Sequence, residues 1–308
     1  MAVSFIAEDY SRPIQPLFSH GAQVGIVHSV FKKATNITFN ETLLALLSDE
    51  LPRMPNSVRL RSVVTDELLP KMQPGMEVYV GNDALIIPSC DFSLFLSNAP
   101  VWEPRPDVSA YKWNNETVAK HTRLLTQFLA KKQLQDGLAP LVEVLFHKQS
   151  LQETPLLHMA MPKLRLLAQA SWRQNIAGIE EATRGLAGLG PGLTPSGDDV
   201  LCGFAAIMKL LSPQLSSDSQ SRKHIASIIA TVAKPRTTNV SAVLLEHASR
   251  GEVAEQFGSL LLTLRLPAEE CKTVLKAADR AQAFGASSGG DTLLGMLLGL
   301  RALEGEID

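Results

Sequence analysis

One eight-residue pattern occurs twice in this chain and restricts its fold more than any other feature. It reads Ser-Gly-x-Asp-x-Leu-x-Gly, and its copies occupy residues 196–203 and 288–295, which are 92 residues apart. An apolar segment follows each copy, which predicts that each one begins a helix. Gly203 and Gly295 lie four residues after Asp199 and Asp291, one turn on along the same helix face. We therefore predict that the two helices pack closely together and that their N-termini open into one shared pocket.

The first copy follows a run with glycines at alternate positions, which suits a backbone that bends sharply or approaches a ligand. Thr194 or Ser196 is predicted to cap the following helix. The free N–H groups and positive dipole end of a helix start favour an anion. The predicted anion-binding or substrate-binding residues of the two copies are Gly190, Gly192, Thr194, Ser196, Gly197, Ser288, Gly289 and Gly290.

Three carboxylates stand in these helix starts and are the candidate catalytic residues: Asp198, Asp199 and Asp291. For a single motif, ordinary helix capping would be the better interpretation, but two matched, glycine-rich copies favour a functional site. The segment is not a Walker A loop, because no Lys-Ser/Thr pair follows the glycines. Its spacing also differs from a dinucleotide-binding fingerprint.

A third polar cluster lies between the copies, at residues 234–241, and begins another predicted helix. Arg236, Thr238 and Asn239 could hold a phosphate or a carboxylate. The same residues would equally make a capped turn with a solvated arginine, and the pattern leaves both interpretations open.

The first third of the chain is predicted to be rich in β-strands. The predicted strands cover residues 24–31, 35–39, 58–64, 76–80 and 85–87. Gly81, Asn82 and Asp83 between two apolar runs indicate a hairpin. Residues 42–47 are predicted to form a short helix.

After a proline-containing linker at residues 98–107, the apolar residues recur with a period of 3.6. Predicted helices begin near residue 117 and cover 162–186, 198–211, 221–233, 239–249, 268–284 and 291–303, with Pro267 as a helix-starting residue. We therefore predict an α+β fold with a small, barrel-like β-rich domain at 1–107 and a mostly α-helical domain at 108–308 that carries both motifs.

Composition limits the function classes. A net charge of −2 provides no basic surface for nucleic acid or an anionic membrane. The three cysteines are far apart and odd in number, so neither a disulfide framework nor a cysteine zinc site is predicted. The first 16 residues lack an apolar signal-peptide core, and no apolar run approaches the ~18 residues of a membrane span. We expect a soluble, cytoplasmic protein.

Three strings in order, GLGPGLTPSGDDVLCG, TTNVSAVLLEHASRGE and GASSGGDTLLG, resemble a bacterial family that includes the third (AllH-type) subunit of oxamate carbamoyltransferase. The resemblance covers the helical part well and the β-rich part loosely. It implies a multi-subunit transferase of anaerobic allantoin breakdown that converts oxalurate and phosphate into oxamate and carbamoyl phosphate. It also implies companion subunits, but it assigns no catalytic residues, so the candidate site rests on the residues themselves.

Three functions remain open at this point. The first is a carbamoyltransferase subunit in which helix-start N–H groups hold phosphate or a carboxylate, while Asp199 and Asp291 orient an amide N–H or share a proton. The second is a stand-alone enzyme in which Asp198, Asp199 and Asp291 bind Mg²⁺. The third is a non-catalytic assembly subunit whose glycines serve helix packing.

Overall fold

A computed structural model describes residues 3–19, 21–147, 154–215 and 219–305. The chain divides into two compact units, one ending at Pro104 and the other beginning at Arg105. The first unit is built on a sheet and the second on helices, so the α+β fold class is confirmed.

Over its described residues, the first unit contains ten strands and two short α-helices. The strands are β1 (Val3–Ile6), β2 (Asp9–Ser11), β3 (Gln23–Val30), β4 (Ala34–Phe39), β5 (Thr42–Ser48), β6 (Ser57–Leu60), β7 (Glu77–Gly81), β8 (Ala84–Ile87), β9 (Phe92–Phe95) and β10 (Val101–Trp102). The helices are α1 (Gln15–Ser19) and α2 (Ser62–Leu68).

All ten strands form one curled sheet in the order β1-β9-β8-β7-β3-β4-β5-β6-β2-β10. Only Ala7 and Glu8 separate β1 from β2, yet these strands lie near opposite ends of the order. The sheet must therefore curl until its ends approach each other, as in a half-barrel. The hydrophobic core lies against this sheet and includes the fully buried Phe18 of α1 together with Ile37, Leu85 and Leu94 of the strands.

Two predictions in this unit are wrong. Residues 42–47 form strand β5 rather than a helix, and they pair with β4 and β6. Nearly every side chain of β5 is buried, so its sequence lacks the alternation that marks a half-exposed strand. The predicted strand at 58–64 ends at Leu60, and α2 begins at Ser62. The hairpin at residues 81–83 is confirmed, because β7 and β8 pair antiparallel around it.

The second unit is helical over the part of the chain that the structure describes. Its helices are α3 (Asn115–Lys131), α4 (Val142–His147), α5 (Pro155–Trp172), α6 (Ile176–Leu186), α7 (Ser196–Leu210), α8 (Ser212–Leu215), α9 (Ser219–Ala233), α10 (Asn239–Arg250), α11 (Glu255–Thr263), α12 (Cys271–Gln282) and α13 (Ser288–Glu304). Among the described residues, no helix is both long enough and apolar enough to span a membrane.

The observed helices differ from the prediction at several points. The single helix predicted at 162–186 is two helices, α5 and α6, because the chain turns between them at Gln174, which has a φ of 55°. Pro267 does not start a helix, since α12 begins at Cys271 after an intervening turn. Helix α11 was not predicted, because its nine residues are too few for a clear period.

Candidate functional site

Helices α7 and α13 cross at the glycines of the two motifs. A Cβ atom on Gly203 would overlap the carbonyl oxygen of Thr292, and one on Gly295 would overlap that of Val200. One turn further on, a Cβ on Gly299 would lie 2.9 Å from Cβ of Ile207. Contact positions therefore advance together along both helices, so α7 and α13 run parallel with their N-termini at the same end. The predicted packing of the two helices is confirmed.

The glycine at the second position of each motif, Gly197 or Gly289, also packs against backbone. A Cβ on Gly197 would overlap the carbonyl oxygen of Leu186, and one on Gly289 would overlap that of Ala281. Their N–H groups donate to the carbonyls of Leu189 and Phe284, each at 2.8 Å. The N–H groups of these two glycines are thus already paired within the fold. These two N–H groups are therefore not free to hold an anion, and the positions require close packing.

The hydroxyls of the two motifs bond across the crossing instead of capping their own helices. The residue before α7 is Pro195, and neither helix start has a side-chain cap. The prediction that Thr194 or Ser196 caps α7 is therefore wrong. The hydroxyl of Ser196 lies close enough to Asp291 of the other motif to lower the pKa of that carboxyl group, and the hydroxyl of Ser288 acts in the same way on Asp199. Thr194 Oγ1 lies 3.2 Å from Ser288 Oγ, which is a hydrogen bond between the two motifs.

These contacts between the two motifs give the site a twofold-like arrangement. Ser196 and Ser288 are equivalent positions of the repeat, as are Asp199 and Asp291. Each aspartate on one helix is therefore paired with the serine that begins the other helix. The two carboxyl groups consequently lie together at the paired helix starts.

Asp291 has further partners that the sequence did not indicate. Its Oδ1 accepts hydrogen bonds from the backbone N–H groups of Leu138 at 2.6 Å and Ala139 at 2.9 Å. Gly137 has a φ of 74°, and a Cβ there would overlap the Asp291 carboxyl group. Asp136-Gly137 is a recognisable turn signal. Nothing local in the sequence connects that turn to a residue 153 positions away.

Asp198 connects the glycine-rich run before α7 to the turn before α10. Its Oδ1 accepts from the N–H of Gly188 at 3.0 Å, and its Oδ2 accepts from the hydroxyl of Thr237. Gly188 needs its positive φ of 73°, and a Cβ there would come 2.5 Å from the Arg236 carbonyl oxygen. Asp198 therefore fastens the glycine-rich run to the turn before α10, and both of its carboxyl oxygens are occupied.

Burial dominates the electrostatics of the three aspartates. Asp199 is 6 % exposed and Asp291 is fully buried. Loss of hydration raises the pKa of Asp291 to about 6, against the hydrogen bonds that lower it. Burial also raises the pKa of Asp199 well above its ordinary value, and the negative charge of Asp291 raises it further. The pKa of Asp198 is raised by burial as well.

One oxygen of each paired carboxyl group has no hydrogen-bond partner among the described residues. These atoms are Oδ2 of Asp199 and Oδ2 of Asp291, and both are buried. An unpartnered buried carboxyl oxygen is costly, because desolvation is not offset by a hydrogen bond. The pair therefore has the capacity to accept two further donors.

The remaining predicted residues have the following contacts within the fold. Thr238 caps α10 and donates to the carbonyl of Leu193 at 2.6 Å. Arg236 is exposed and donates to the carbonyl of Val232 at 3.0 Å. Other placements are as follows: Asn239 is exposed at the start of α10, Gly192 is exposed with a φ of 93°, Gly190 packs its backbone on Ser196, and Gly290 packs on Leu134 and Ala139.

No group of three or more His, Cys, Asp or Glu side chains within the described ranges is arranged to hold a metal ion. Asp198, whose two oxygens are already bonded to Gly188 and Thr237, would have to give up those bonds to join Asp199 and Asp291 as a ligand. The magnesium alternative therefore has no observation in its favour.

Comparison with known proteins identifies the family through two matches. Residues 4–101 match the profile described as the AllH family N-terminal domain. Residues 186–300, which include both motifs, match the profile described as oxamate carbamoyltransferase subunit AllH. No solved structure matches the chain. Together the two matches extend over both units, and the chain belongs to the AllH family of carbamoyltransferase subunits.

Proposed function

We propose that this protein is a subunit of an oxamate-type carbamoyltransferase that converts oxalurate and phosphate into oxamate and carbamoyl phosphate. The reaction would belong to anaerobic allantoin and purine breakdown in the cytoplasm. The family match supports the transferase class. The observation that carries the assignment of the site is the buried pair Asp199 and Asp291, each with an unpartnered carboxyl oxygen.

The chemistry requires little beyond positioning and proton transfer. A phosphate oxygen attacks the carbamoyl carbon, the bond from that carbon to the oxamate nitrogen breaks, and the phosphate proton moves to that nitrogen. A group with a pKa of about 6, as for Asp291, is near the value at which a carboxyl group exchanges protons efficiently at neutral pH. Asp199 and Asp291 would thus act by orienting the carbamoyl group or by sharing and moving a proton.

The anionic parts of the substrates need a separate explanation. Buried carboxyl groups repel phosphate, and the N–H groups of Gly197 and Gly289 are already used. Phosphate would therefore lie toward the exposed part of the glycine-rich run, at Gly192, with positive charge from Arg236 or from a companion subunit. Such a shared site would explain why the enzyme has several subunits.

The test is reconstitution. The chain alone, the companion subunits alone and the full complex would be assayed for phosphate-dependent release of oxamate from oxalurate. We expect activity only in the full complex, with this chain co-purifying in it. Full activity from the companions alone would contradict the proposal.

A second candidate is a non-catalytic assembly subunit. The observation in its favour is that Gly197, Gly203, Gly289 and Gly295 all make backbone contacts that a side chain would block. In that case the complex would need this chain for assembly, but a substitution confined to Asp199 would leave its rate unchanged.

A further inference from the structure

We infer that the unpartnered Oδ2 atoms of Asp199 and Asp291 together accept the two N–H bonds of the terminal –NH₂ of the carbamoyl group. This inference rests on the proposed function and assigns the ligand of the aspartate pair. It makes the pair the part of the enzyme that recognises an unsubstituted carbamoyl nitrogen.

The acceptors match the ligand in number. Oδ1 of Asp291 already accepts from two backbone N–H groups, and a serine hydroxyl lies close to each of the two carboxyl groups. What remains is one buried oxygen on each side, with no partner among the described residues. An amide –NH₂ offers two N–H donors from a single nitrogen and can bridge two such atoms.

The scaffold holds both oxygens in place before a ligand arrives. Helices α7 and α13 meet backbone to backbone at Gly203 and Gly295, so their starts cannot shift independently. Gly137 presses its backbone on the Asp291 carboxyl group. A binding site fixed in this way spends little free energy on ordering itself when the ligand binds.

Charge favours a neutral donor over an ion. An anion would be repelled by Asp198, Asp199 and Asp291, which are all buried. A cation would have to lose its hydration in a site that is nearly closed to water. A carbamoyl –NH₂ brings two donors without a full charge, so it satisfies the oxygens at a lower desolvation cost.

The main rival is that the two carboxyl groups satisfy each other through one shared proton. Recognition of the carbamoyl –NH₂ and a shared proton both predict that Asp199→Asn alters the site. The substrate must therefore be varied as well as the protein to distinguish them. The decisive probe is an oxalurate whose terminal nitrogen carries two methyl groups, because it keeps the reacting carbon but has lost both donors. The protein used is the reconstituted complex of the full chain with its companion subunits.

For the wild-type complex we expect kcat/KM to fall at least ~100-fold from oxalurate to the dimethyl analogue, as expected of a buried site built for hydrogen-bond donors. In Asp199→Asn, an –NH₂ group replaces one acceptor oxygen of the carboxylate, so the KM for oxalurate should rise at least ~10-fold. The discrimination ratio, which is kcat/KM for oxalurate divided by kcat/KM for the dimethyl analogue, should shrink by a similar factor. The KM for phosphate should stay within ~3-fold. Asp279→Asn, which alters an exposed carboxylate on α12, is the control and should match wild type.

A wild-type complex that uses both substrates within ~3-fold of each other would overturn the inference, and this measurement requires no variant to fold. An unchanged discrimination ratio in a folded Asp199→Asn complex would overturn it as well and would favour the shared proton. Both of these results leave the proposed function standing. Absence of any transfer from oxalurate by the wild-type complex would instead contradict the proposed function, and the inference would fall with it.

Discussion

At the scale of single residues, the site is defined by carboxyl oxygens that lack hydrogen-bond partners and by glycines whose Cβ position is taken by neighbouring atoms. Asp199 and Asp291 are buried, and each retains one unpartnered oxygen. The sequence indicated both aspartates through the repeat. It did not indicate Gly137, because the contact between Gly137 and Asp291 exists only in the folded chain. Contacts between distant segments of this kind are the part of a site that local patterns cannot predict.

Gly137→Ala tests that contact. The substitution combines the strain of a positive φ with overlap of the Asp291 carboxyl group. Gly75→Ala is the matched control, because Gly75 has a φ of 92° and nothing within 4 Å of its Cβ position. We expect Gly137→Ala to lower the free energy of unfolding by at least ~1 kcal/mol more than Gly75→Ala does, measured by urea denaturation. Equal effects would mean that the overlap is relieved without cost.

The raised pKa of Asp291 predicts a pH dependence of stability. Between its unperturbed pKa of 3.8 and its folded-state pKa of about 6, the folded state binds the proton more tightly than the unfolded state does. Stability contributed by this group is therefore greatest at low pH and falls as pH rises through that window, by about 2–3 kcal/mol in all. Asp198 and Asp199 contribute to the pH dependence of stability with the same sign, because burial raises the pKa of both.

Asp291→Asn removes this titration but keeps an oxygen that can accept from Leu138 and Ala139. We expect the free energy of unfolding of this variant to vary less between pH 4.5 and 7 than that of wild type, in urea titrations at both pH values. A variant with the wild-type slope would show that Asp291 is not the group that titrates.

At the scale of elements, the sequence correctly predicted those helices whose apolar residues recur with a clear period. Helices α7, α10 and α13 lie close to their predicted positions because each has an apolar stripe and a marked start. Strand β5 was missed because both its faces are buried, so its residues form a continuous apolar run that also suits a helix. The crossing of α7 and α13 could be predicted because the repeat places glycine at the same turn of both helices.

The crossing of α7 and α13 can be tested with one methyl group. Gly203→Ala places a Cβ where Thr292 O lies, whereas Gly258→Ala in α11 meets only ordinary contacts, the nearest at 3.5 Å from Val253 Cγ2. We expect Gly203→Ala to destabilise the protein by roughly 1–3 kcal/mol. Gly258→Ala should instead be neutral or stabilising by up to about 1 kcal/mol, because alanine favours a helix. Thermal melts of both variants measure the difference, and a neutral Gly203→Ala would argue against the close crossing.

At the scale of the whole molecule, the half-barrel has a core of its own. Its buried cluster is drawn from residues between Ala7 and Ala99, all within the first compact unit. The prolines at 100, 104 and 106 stiffen the segment that follows. We therefore propose that residues 1–107 form an independent domain. This fragment should unfold cooperatively on its own, as followed by far-UV circular dichroism, and a fragment without a cooperative transition would contradict the proposal.

The central claim is that Asp199 acts on substrate rather than on the fold, and the most direct measurement pairs rate with stability in Asp199→Asn. Asparagine keeps the size of the side chain and removes the carboxylate charge. We predict that the reconstituted complex loses roughly 10²-fold or more in transferase rate, in line with loss of a positioned acid, base or acceptor. The melting temperature of the chain should stay the same or rise, because a buried carboxyl group with a raised pKa has been removed. Full transferase activity in a folded Asp199→Asn complex would contradict the claim.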